Sequence, residues 1–172
     1  MKKINFEELN DINPYKKIAK DWFLLSAGTK DKGYNTMTAS WGHMGSIWGH
    51  GGGKPSAIVF VRPTRYTKEF VDNNEYFSLS FFDEEFRKDL SYLGTVSGKD
   101  EDKIAKTSLS PIFNDNCIYF EQANLVLICR KLYKQDLKEE CFVDHEVCEK
   151  SYPLKDFHTM YIGEIIETLV RE

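Results

Sequence analysis

Short runs of β-branched and aromatic residues, each bounded by turn residues, recur along the chain and predict a structure made mainly of β-strands. The run from Ala57 to Val61 is apolar at every position, so both faces of that strand are expected to be covered by protein. Because no long helical pattern separates the runs, an antiparallel sheet or barrel with peripheral helices is favoured over a doubly wound α/β fold. The predicted strands cover residues 22–27, 34–41, 56–62, 76–82, 117–132 and 158–169.

Two short peripheral helices are predicted from caps and apolar spacing. Asp83 is a candidate N-cap, and the apolar stripe that follows it ends at Gly94. A second helix is predicted over residues 65–72 with Thr64 as its cap. Because neither helix is long enough to act as a crossover between parallel strands, the sheet is predicted to be antiparallel.

Hydroxyl side chains alternate with apolar ones in two of the predicted strands, so they share one face of each strand. Such alternation is typical of an antiparallel sheet with one solvated face, so it indicates little about function by itself. These residues are Thr36, Thr38 and Ser40 in the first strand, and Ser78 and Ser80 in the second.

Composition narrows the class of protein. The 172 residues carry 23 Lys and Arg against 27 Asp and Glu, a net charge of −4 that argues against a nucleic-acid binder. The aromatic content of 14% is enough for a real core. No apolar run approaches the roughly 20 residues of a membrane helix, and no secretory signal pattern is present. We expect one domain over residues 1–172, soluble and cytoplasmic, with no membrane partner.

The four cysteines are expected to be free thiols, since a chain of this size with a good core needs no disulfide. Cys141, His145 and Cys148 have the spacing C-x3-H-x2-C, which would put all three on one face of a helix. They could offer soft ligands to zinc. A fourth ligand is missing nearby and the spacing matches no common zinc motif, so ordinary packing is favoured and no metal is predicted.

Six of the eleven glycines lie in residues 42–53, which we predict to be a loop. Neither a P-loop nor a dinucleotide-binding fingerprint fits this segment, because residues that each motif requires are missing. The segment also carries or borders Trp41 and Trp48, with His43 and His50. Broad apolar rings on such a loop suit a planar aromatic ligand or a partner subunit, and a plain surface loop is the alternative.

The segment Arg62-Pro63-Thr64-Arg65-Tyr66-Thr67 leaves an apolar strand and enters a predicted helix. It combines two guanidinium groups, hydroxyls and a helix N-terminus, which are the parts of a phosphate site. A second stretch, from Ser97 to Lys103, is also suited to anions, although taken alone it is better explained as a solvated charged loop.

Four motifs in order resemble the flavin reductase-like family, and most closely its flavoredoxin-like subgroup. They begin at Asn35, Val61, Phe77 and Ser97, and the resemblance covers roughly residues 20–168. It implies the FMN-binding split-barrel fold and a homodimer with FMN near the subunit interface. NAD(P)H or a redox protein would be the electron donor, and no catalytic residue is nominated.

The resemblance also implies roles for individual residues. A histidine, His158, could face the same pocket, and the run Gly51-Gly52-Gly53 departs from the family pattern. The implied FMN-binding residues are Asn35, Thr36, Met37, Thr38 and Ser40 for the ring and ribityl chain; Arg62, Pro63, Thr64, Arg65, Tyr66 and Thr67 for ribityl and phosphate; Ser78 and Ser80 as hydrogen-bonding groups; Ser97 and Lys103 to complete the phosphate site; and Trp41 and Trp48 against the ring.

Three functions remain open at this point, and a metalloprotein centred on Cys141, His145 and Cys148 is a distant fourth. The first is an oxidoreductase in which FMN is reduced and passes electrons onward. The second is an FMN-binding electron carrier or sensor without NAD(P)H turnover of its own. The third is a β-barrel that binds no flavin.

Overall fold

The computed structural model describes residues 1–10, 12–49, 51–115 and 117–171. Ten strands and three α-helices are found in these residues. The strands are β1 Lys2–Ile4, β2 Phe23–Thr29, β3 Gly33–Ala39, β4 Gly42–Ile47, β5 Lys54–Val61, β6 Tyr76–Phe81, β7 Pro111–Phe113, β8 Ile118–Phe120, β9 Leu125–Asp136 and β10 Thr159–Val170. The helices are α1 Thr67–Asn73, α2 Arg87–Thr95 and α3 His145–Ser151, with a π-helical segment over Lys16–Asp21.

Eight strands form one antiparallel sheet in the order β3-β2-β6-β9-β10-β5-β4, with β1 also paired to β10. The long strand β10 pairs with β9 along its whole length, whereas its other edge is shared by β5 and β1. The remaining strands, β7 and β8, form a separate hairpin. The predicted antiparallel, mainly β architecture with short helices is confirmed.

The glycine-rich segment is a hairpin arm in its first half, so its prediction as a loop is wrong there. Gly42–Ile47 forms β4 and pairs with β5 from Gly42↔Val59 to Ile47↔Lys54. Glycine lacks a side chain to pack but keeps its backbone hydrogen bonds, so a strand rich in glycine escapes a pattern based on side chains. The tip turns tightly, with positive φ at Trp48 (53°) and Gly49 (95°).

Other element boundaries differ from the predictions for local reasons. The predicted strand 117–132 is broken into β8 and β9 by a turn. The Arg62–Arg65 turn delays α1, which begins at Thr67 with Tyr66 in the cap position. Asp83 does not cap a helix through its side chain, because its carboxylate accepts hydrogen bonds from Asn124 (2.7 Å) and Arg171.

Two buried clusters lie on the two sides of the sheet. One cluster fills the barrel and is centred on Phe23, Phe77 and Tyr161. The other lies between the sheet and residues 104–123, with Leu24 and Phe120 among its members. Helices α1 and α2 pack at the β2 and β3 end of the sheet. Within the part of the chain that the structure describes, no helix is long and apolar enough to cross a bilayer.

Gly163 allows the core to close at the middle of β10. A Cβ atom placed there would lie 2.6 Å from Phe77 Cζ and 2.8 Å from Cys129 Cβ, which is closer than packed carbon atoms can approach. The Phe77 ring therefore occupies the space that any side chain at this position would need.

We expect Gly163→Ala to lower the free energy of unfolding by about 1–3 kcal/mol, because the added methyl group overpacks a closed core. Urea unfolding at one fixed protein concentration measures the effect. The matched control is Gly45→Ala in β4, where a Cβ would meet no atom within 4 Å. Equal effects of the two substitutions would contradict this account of Gly163.

Candidate functional site

Three adjoining cavities lie where the sheet is open. β3 and β4 follow each other in the chain but stand at opposite ends of the strand order, and Ser40 and Trp41 connect them. Among the described residues, no strand of this sheet pairs with the outer edge of β3. Edge strands keep a row of backbone donors and acceptors available to other partners.

The largest cavity, here called the aromatic cleft, has a volume of about 860 Å³. Volumes of roughly 300–1,000 Å³ are usual for sites that hold small molecules. Its wall is formed by the π-helical segment on one side and by β4 and the Ser40–Trp41 connection on the other. The Trp41 side chain is 46% exposed, so a broad aromatic surface is available to a ligand or a partner.

A smaller central cavity of about 150 Å³ shares Ser40, Trp41 and Phe60 with the aromatic cleft. Its other lining residues are Met37, Thr38, Ala39, Arg62, Arg65 and His158. The imidazole of His158 lies against the Trp41 ring, with 4.9 Å between the ring centres. Thr38 Oγ1 donates to the Leu90 carbonyl, which ties β3 to α2 beside this cavity.

The third cavity, here called the cationic cavity, is about 70 Å³ and adjoins the central one at Met37 and Arg65. It lies between β3, the turn before α1 and the stretch after α2. Thr67 Oγ1 accepts a hydrogen bond from Asn35 Nδ2 (3.1 Å), and both side chains are buried. A Cβ at Gly98 would lie 2.5 Å from Asn35 Oδ1, so this loop packs closely against β3. The polar lining also includes Thr64, Tyr66, Thr95, Ser97 and Lys103.

Lys103 is a buried cation at the wall of the cationic cavity. Its Nζ donates to the carbonyl oxygens of Leu93 (2.9 Å) and Val96 (3.0 Å) at the end of α2, where the helix leaves carbonyl groups unpaired. Burial, together with repulsion from Arg65, lowers the pKa of the Lys103 ammonium to about 8. An ammonium group has three N–H bonds, so one remains for a further acceptor.

Charge is distributed unevenly around these cavities. No Asp or Glu among the described residues lines any of the three cavities, although the whole chain carries 27 Asp and Glu residues. Arg65 makes no ion pair within the described residues and donates to the Gly94 carbonyl (3.0 Å). A site that keeps cations and excludes carboxylates is suited to an anionic ligand.

A family model described as the flavin reductase like domain matches residues 15–172. The chain belongs to the flavin reductase-like family. The resemblance drawn from the sequence is thereby confirmed. Membership supports flavin binding and a flavin-related redox function for this chain. No curated protein sequence matches it at a significant level.

Solved structures show the same split-barrel fold. The flavoredoxin of Desulfovibrio vulgaris (Miyazaki F) is 22% identical with a TM-score of 0.66, over 100% of this chain and 78% of that one. Flavoredoxin from Methanosarcina acetivorans is 23% identical with a TM-score of 0.64, over 100% and 77%. The styrene monooxygenase flavin reductase of Pseudomonas putida S12 is 15% identical with a TM-score of 0.62, over 88% and 80%.

The structure brings most of the predicted flavin reductase-like site residues to these cavities. Asn35, Thr64, Tyr66, Thr67, Ser97 and Lys103 line the cationic cavity; Thr38, Ser40, Trp41 and Arg62 line the central cavity; Met37 and Arg65 line both. His158, held only loosely from the sequence, also lies in the central cavity. Their flavin contacts stay a prediction.

Five predicted residues lie elsewhere. Ser78 and Ser80 are fully buried on the sheet face that residues 104–123 cover, where Ser78 Oγ donates to the Ile118 carbonyl (2.5 Å). Thr36 is also buried and bonds to Ser26 (2.8 Å). Pro63 and Trp48 line none of the three cavities. The alternation of β6 does not mark a solvated face, because a second layer of protein covers it.

Arg62 is placed differently from Arg65, with which the sequence grouped it. Its guanidinium forms an ion pair with Asp156 and donates to the Ser151 carbonyl (2.9 Å). The carboxylate neutralises its charge, so Arg62 is less available to a phosphate than Arg65. Asp156 lies 94 residues further along the chain, and no local pattern predicts that pairing.

The remaining candidate residues give no metal site. Cys141 ends a 3₁₀ turn and His145 begins α3, so the C-x3-H-x2-C spacing does not lie on one helix. Over the described ranges, no three His, Cys, Asp or Glu side chains are grouped so that they could hold a metal ion. His43 lines the aromatic cleft, and His50 lies outside the described residues.

Burial lowers the pKa of His158 to about 4, with further repulsion from Arg62 and Arg65, while Asp156 acts in the opposite direction. As the pH falls, the unfolded chain therefore takes up a proton at His158 near pH 6.5, whereas the folded chain takes it up only near pH 4. We expect this residue alone to lower the free energy of unfolding by about 3 kcal/mol as the pH falls through that window.

Denaturant unfolding of the apoprotein at a series of pH values measures this loss. His158→Gln should flatten the dependence between pH 6.5 and pH 4, because the residue that takes up the proton is gone. His145→Gln, at an exposed histidine, is the control and should keep the wild-type dependence. An unchanged slope in His158→Gln would show that other groups cause the acid sensitivity.

Proposed function

We propose that the protein is an FMN-dependent oxidoreductase, either an NAD(P)H-dependent flavin reductase or a flavin-mediated electron-transfer enzyme. The observation that supports it is the cationic cavity, which no described carboxylate lines and which adjoins the central cavity, itself adjoining the aromatic cleft. A chain of the flavin reductase-like family that presents this arrangement is suited to a ligand with a flat apolar ring at one end and a dianionic group at the other.

The donor set of the cationic cavity fits the phosphate of FMN. Arg65 offers a guanidinium that makes no ion pair with the described residues, and charge-assisted bonds from such a group to phosphate are among the stronger hydrogen bonds in proteins. The third N–H of Lys103 and the hydroxyl groups of Thr67 and Ser97 would add further donors. The closeness of Gly98 to Asn35 holds this loop against β3, so these donors need little ordering when an anion arrives.

The walls of the central cavity and the aromatic cleft fit the flavin ring. Trp41 and Phe60 offer apolar surface, Thr38 lies in the edge strand β3, and Ser40 lies in the connection that follows it. When bound, the flavin supplies the hydride and electron chemistry. The chain's own residues bind and orient the ring and hold the phosphate, so no side-chain acid or nucleophile is required.

The visible spectrum of the purified protein separates the candidate functions. A yellow protein whose flavin band is bleached by NADH or NADPH supports the reductase. A yellow protein inert to both, yet reduced by dithionite, supports the second candidate, an electron carrier or sensor. That alternative is favoured by the similarity of the fold to two flavoredoxins. Colourless protein that takes up no added FMN would contradict both.

We further propose that the protein is a homodimer in the cytoplasm. The exposed rings at Trp41 (46%), Trp48 (49%) and Tyr133 (39%) support an apolar contact with a second copy. Light scattering after size-exclusion chromatography tests the dimer directly, and a monomeric mass at micromolar concentration would contradict it.

We expect Arg65→Ala to weaken FMN binding by about 10- to 100-fold, since one charge-assisted hydrogen bond to a desolvated phosphate is lost. Riboflavin lacks the phosphate, so its affinity should change by less than about threefold. Fluorescence titration of the apoprotein with each flavin gives both dissociation constants.

The control for Arg65→Ala is Arg171→Ala, which removes an arginine paired with Asp83 at the far end of β10. It should leave both affinities at the wild-type value. A parallel loss of FMN and riboflavin affinity in Arg65→Ala would place this guanidinium at the ring, and no loss of either would remove it from the site.

A further inference from the structure

We propose that Tyr152 is a positioning residue that fixes the imidazole of His158, so that Nε2–H is presented to the central cavity as a neutral donor for the ligand ring. The inference rests on the proposed function for the identity of that ligand. The assignment of Tyr152 itself rests on contacts within this chain.

The two side chains are joined by one hydrogen bond inside the protein. Tyr152 Oη lies 2.8 Å from His158 Nδ1, and both residues are buried, with exposures of 5% and 8%. The Trp41 ring, which also lines the central cavity, lies against the imidazole with its plane tilted 35° to the histidine ring. The orientation of the imidazole is therefore restricted by a hydrogen bond at one nitrogen and by an aromatic ring beside it.

The chemistry of the pair decides which nitrogen carries the proton. A phenolic hydroxyl is a good donor and a poor acceptor, so Tyr152 is expected to donate to Nδ1. In a neutral imidazole the proton then resides on Nε2, since the two nitrogens take opposite roles. Nε2 makes no hydrogen bond to the described part of the chain and is not sealed from solvent, which leaves its N–H available in the cavity.

Tyr152 is itself held in place from several sides. The rings of Phe142 and Phe157 contact it at centroid distances of 5.8 and 4.9 Å. The Arg62 guanidinium lies 5.2 Å from its ring centre. That guanidinium is in turn fixed by Asp156 and by the Ser151 carbonyl. Segment 151–158 is thus bound to the end of β5. These contacts fix the position of the Tyr152 phenol beside His158.

A donor presented in this way favours a ring that accepts hydrogen bonds at its edge. The flavin ring has several acceptor atoms, and these gain negative charge when the ring is reduced. A fixed N–H therefore stabilises the reduced ring more than the oxidised one, and it contributes to binding of both. Because His158 is neutral, it supplies this interaction without adding another charge beside Arg62 and Arg65.

The first test measures the tautomer directly in the apoprotein. Nitrogen-15 NMR of histidine-labelled protein at neutral pH should show His158 with its proton on Nε2 in the wild type. In Tyr152→Phe the ring is retained and the hydroxyl is lost, so the spectrum should shift toward a mixture of tautomers. A wild-type His158 protonated at Nδ1, or a mixture in the wild type, would overturn the positioning role.

The second test is a double-mutant cycle on flavin affinity and reduction potential. Tyr152→Phe should weaken FMN and riboflavin equally, by about three- to tenfold, and should make the potential of bound FMN more negative. In His158→Gln the amide can donate without help from Tyr152, so adding Tyr152→Phe should have no further effect. A merely structural role predicts the same loss in both backgrounds, and that result would overturn the proposal.

Tyr161→Phe is the matched control. It also removes a phenol that is buried and hydrogen-bonded, here to Asp72 (3.0 Å), but it lies outside all three cavities. It should leave the His158 tautomer and both flavin affinities unchanged. A wild-type protein that binds no flavin would overturn the proposed function and the donor role together, whereas normal flavin binding with an unfixed tautomer would overturn only the role of Tyr152.

Discussion

The chain passes from one end of the sheet to the other through only two residues, Ser40 and Trp41. Ala39 ends β3 and Gly42 begins β4, so their Cα atoms can be no more than roughly 11 Å apart. The sheet must therefore curl until its two end strands, β3 and β4, approach each other. In the described part of the chain these two strands do not pair. The cavities described above occupy this opening, and the unpaired edge of β3 faces the opening rather than another strand.

This geometry also explains how a protein with net negative charge offers a cationic site. Arg65 and Lys103 come from the turn before α1 and the loop after α2, the two elements that pack on the β3 end. Two acidic residues of neighbouring segments form ion pairs with other cations. Glu69 pairs with Lys99 (2.6 Å), and Asp156 pairs with Arg62. The fold therefore separates the two signs of charge locally, although the chain as a whole is acidic.

Much of the fold could be predicted from the sequence because the signals were local. The apolar run in β5 and the stripe of α2 both depend on neighbours within a few residues. The interpretation of the β6 alternation as a solvated face was wrong for the opposite reason, because burial of that face depends on distant residues. A period of two shows which residues share a face, but residues 104–123 decide that the face of β6 carrying Ser78 and Ser80 is covered. The pair of Arg62 with Asp156 joins segments that lie 94 residues apart, and their meeting depends on the completed sheet.

The Lys103 ammonium closes the last turn of α2 with the same group that faces the cationic cavity. One side chain therefore both terminates α2 and supplies a cation to the cavity that we propose as the anion site. A related chain that bound no ligand here would still need a cation at this position to pair the last carbonyl groups of the helix. A lysine at this position in a related chain is therefore not, by itself, evidence that the chain binds a phosphate.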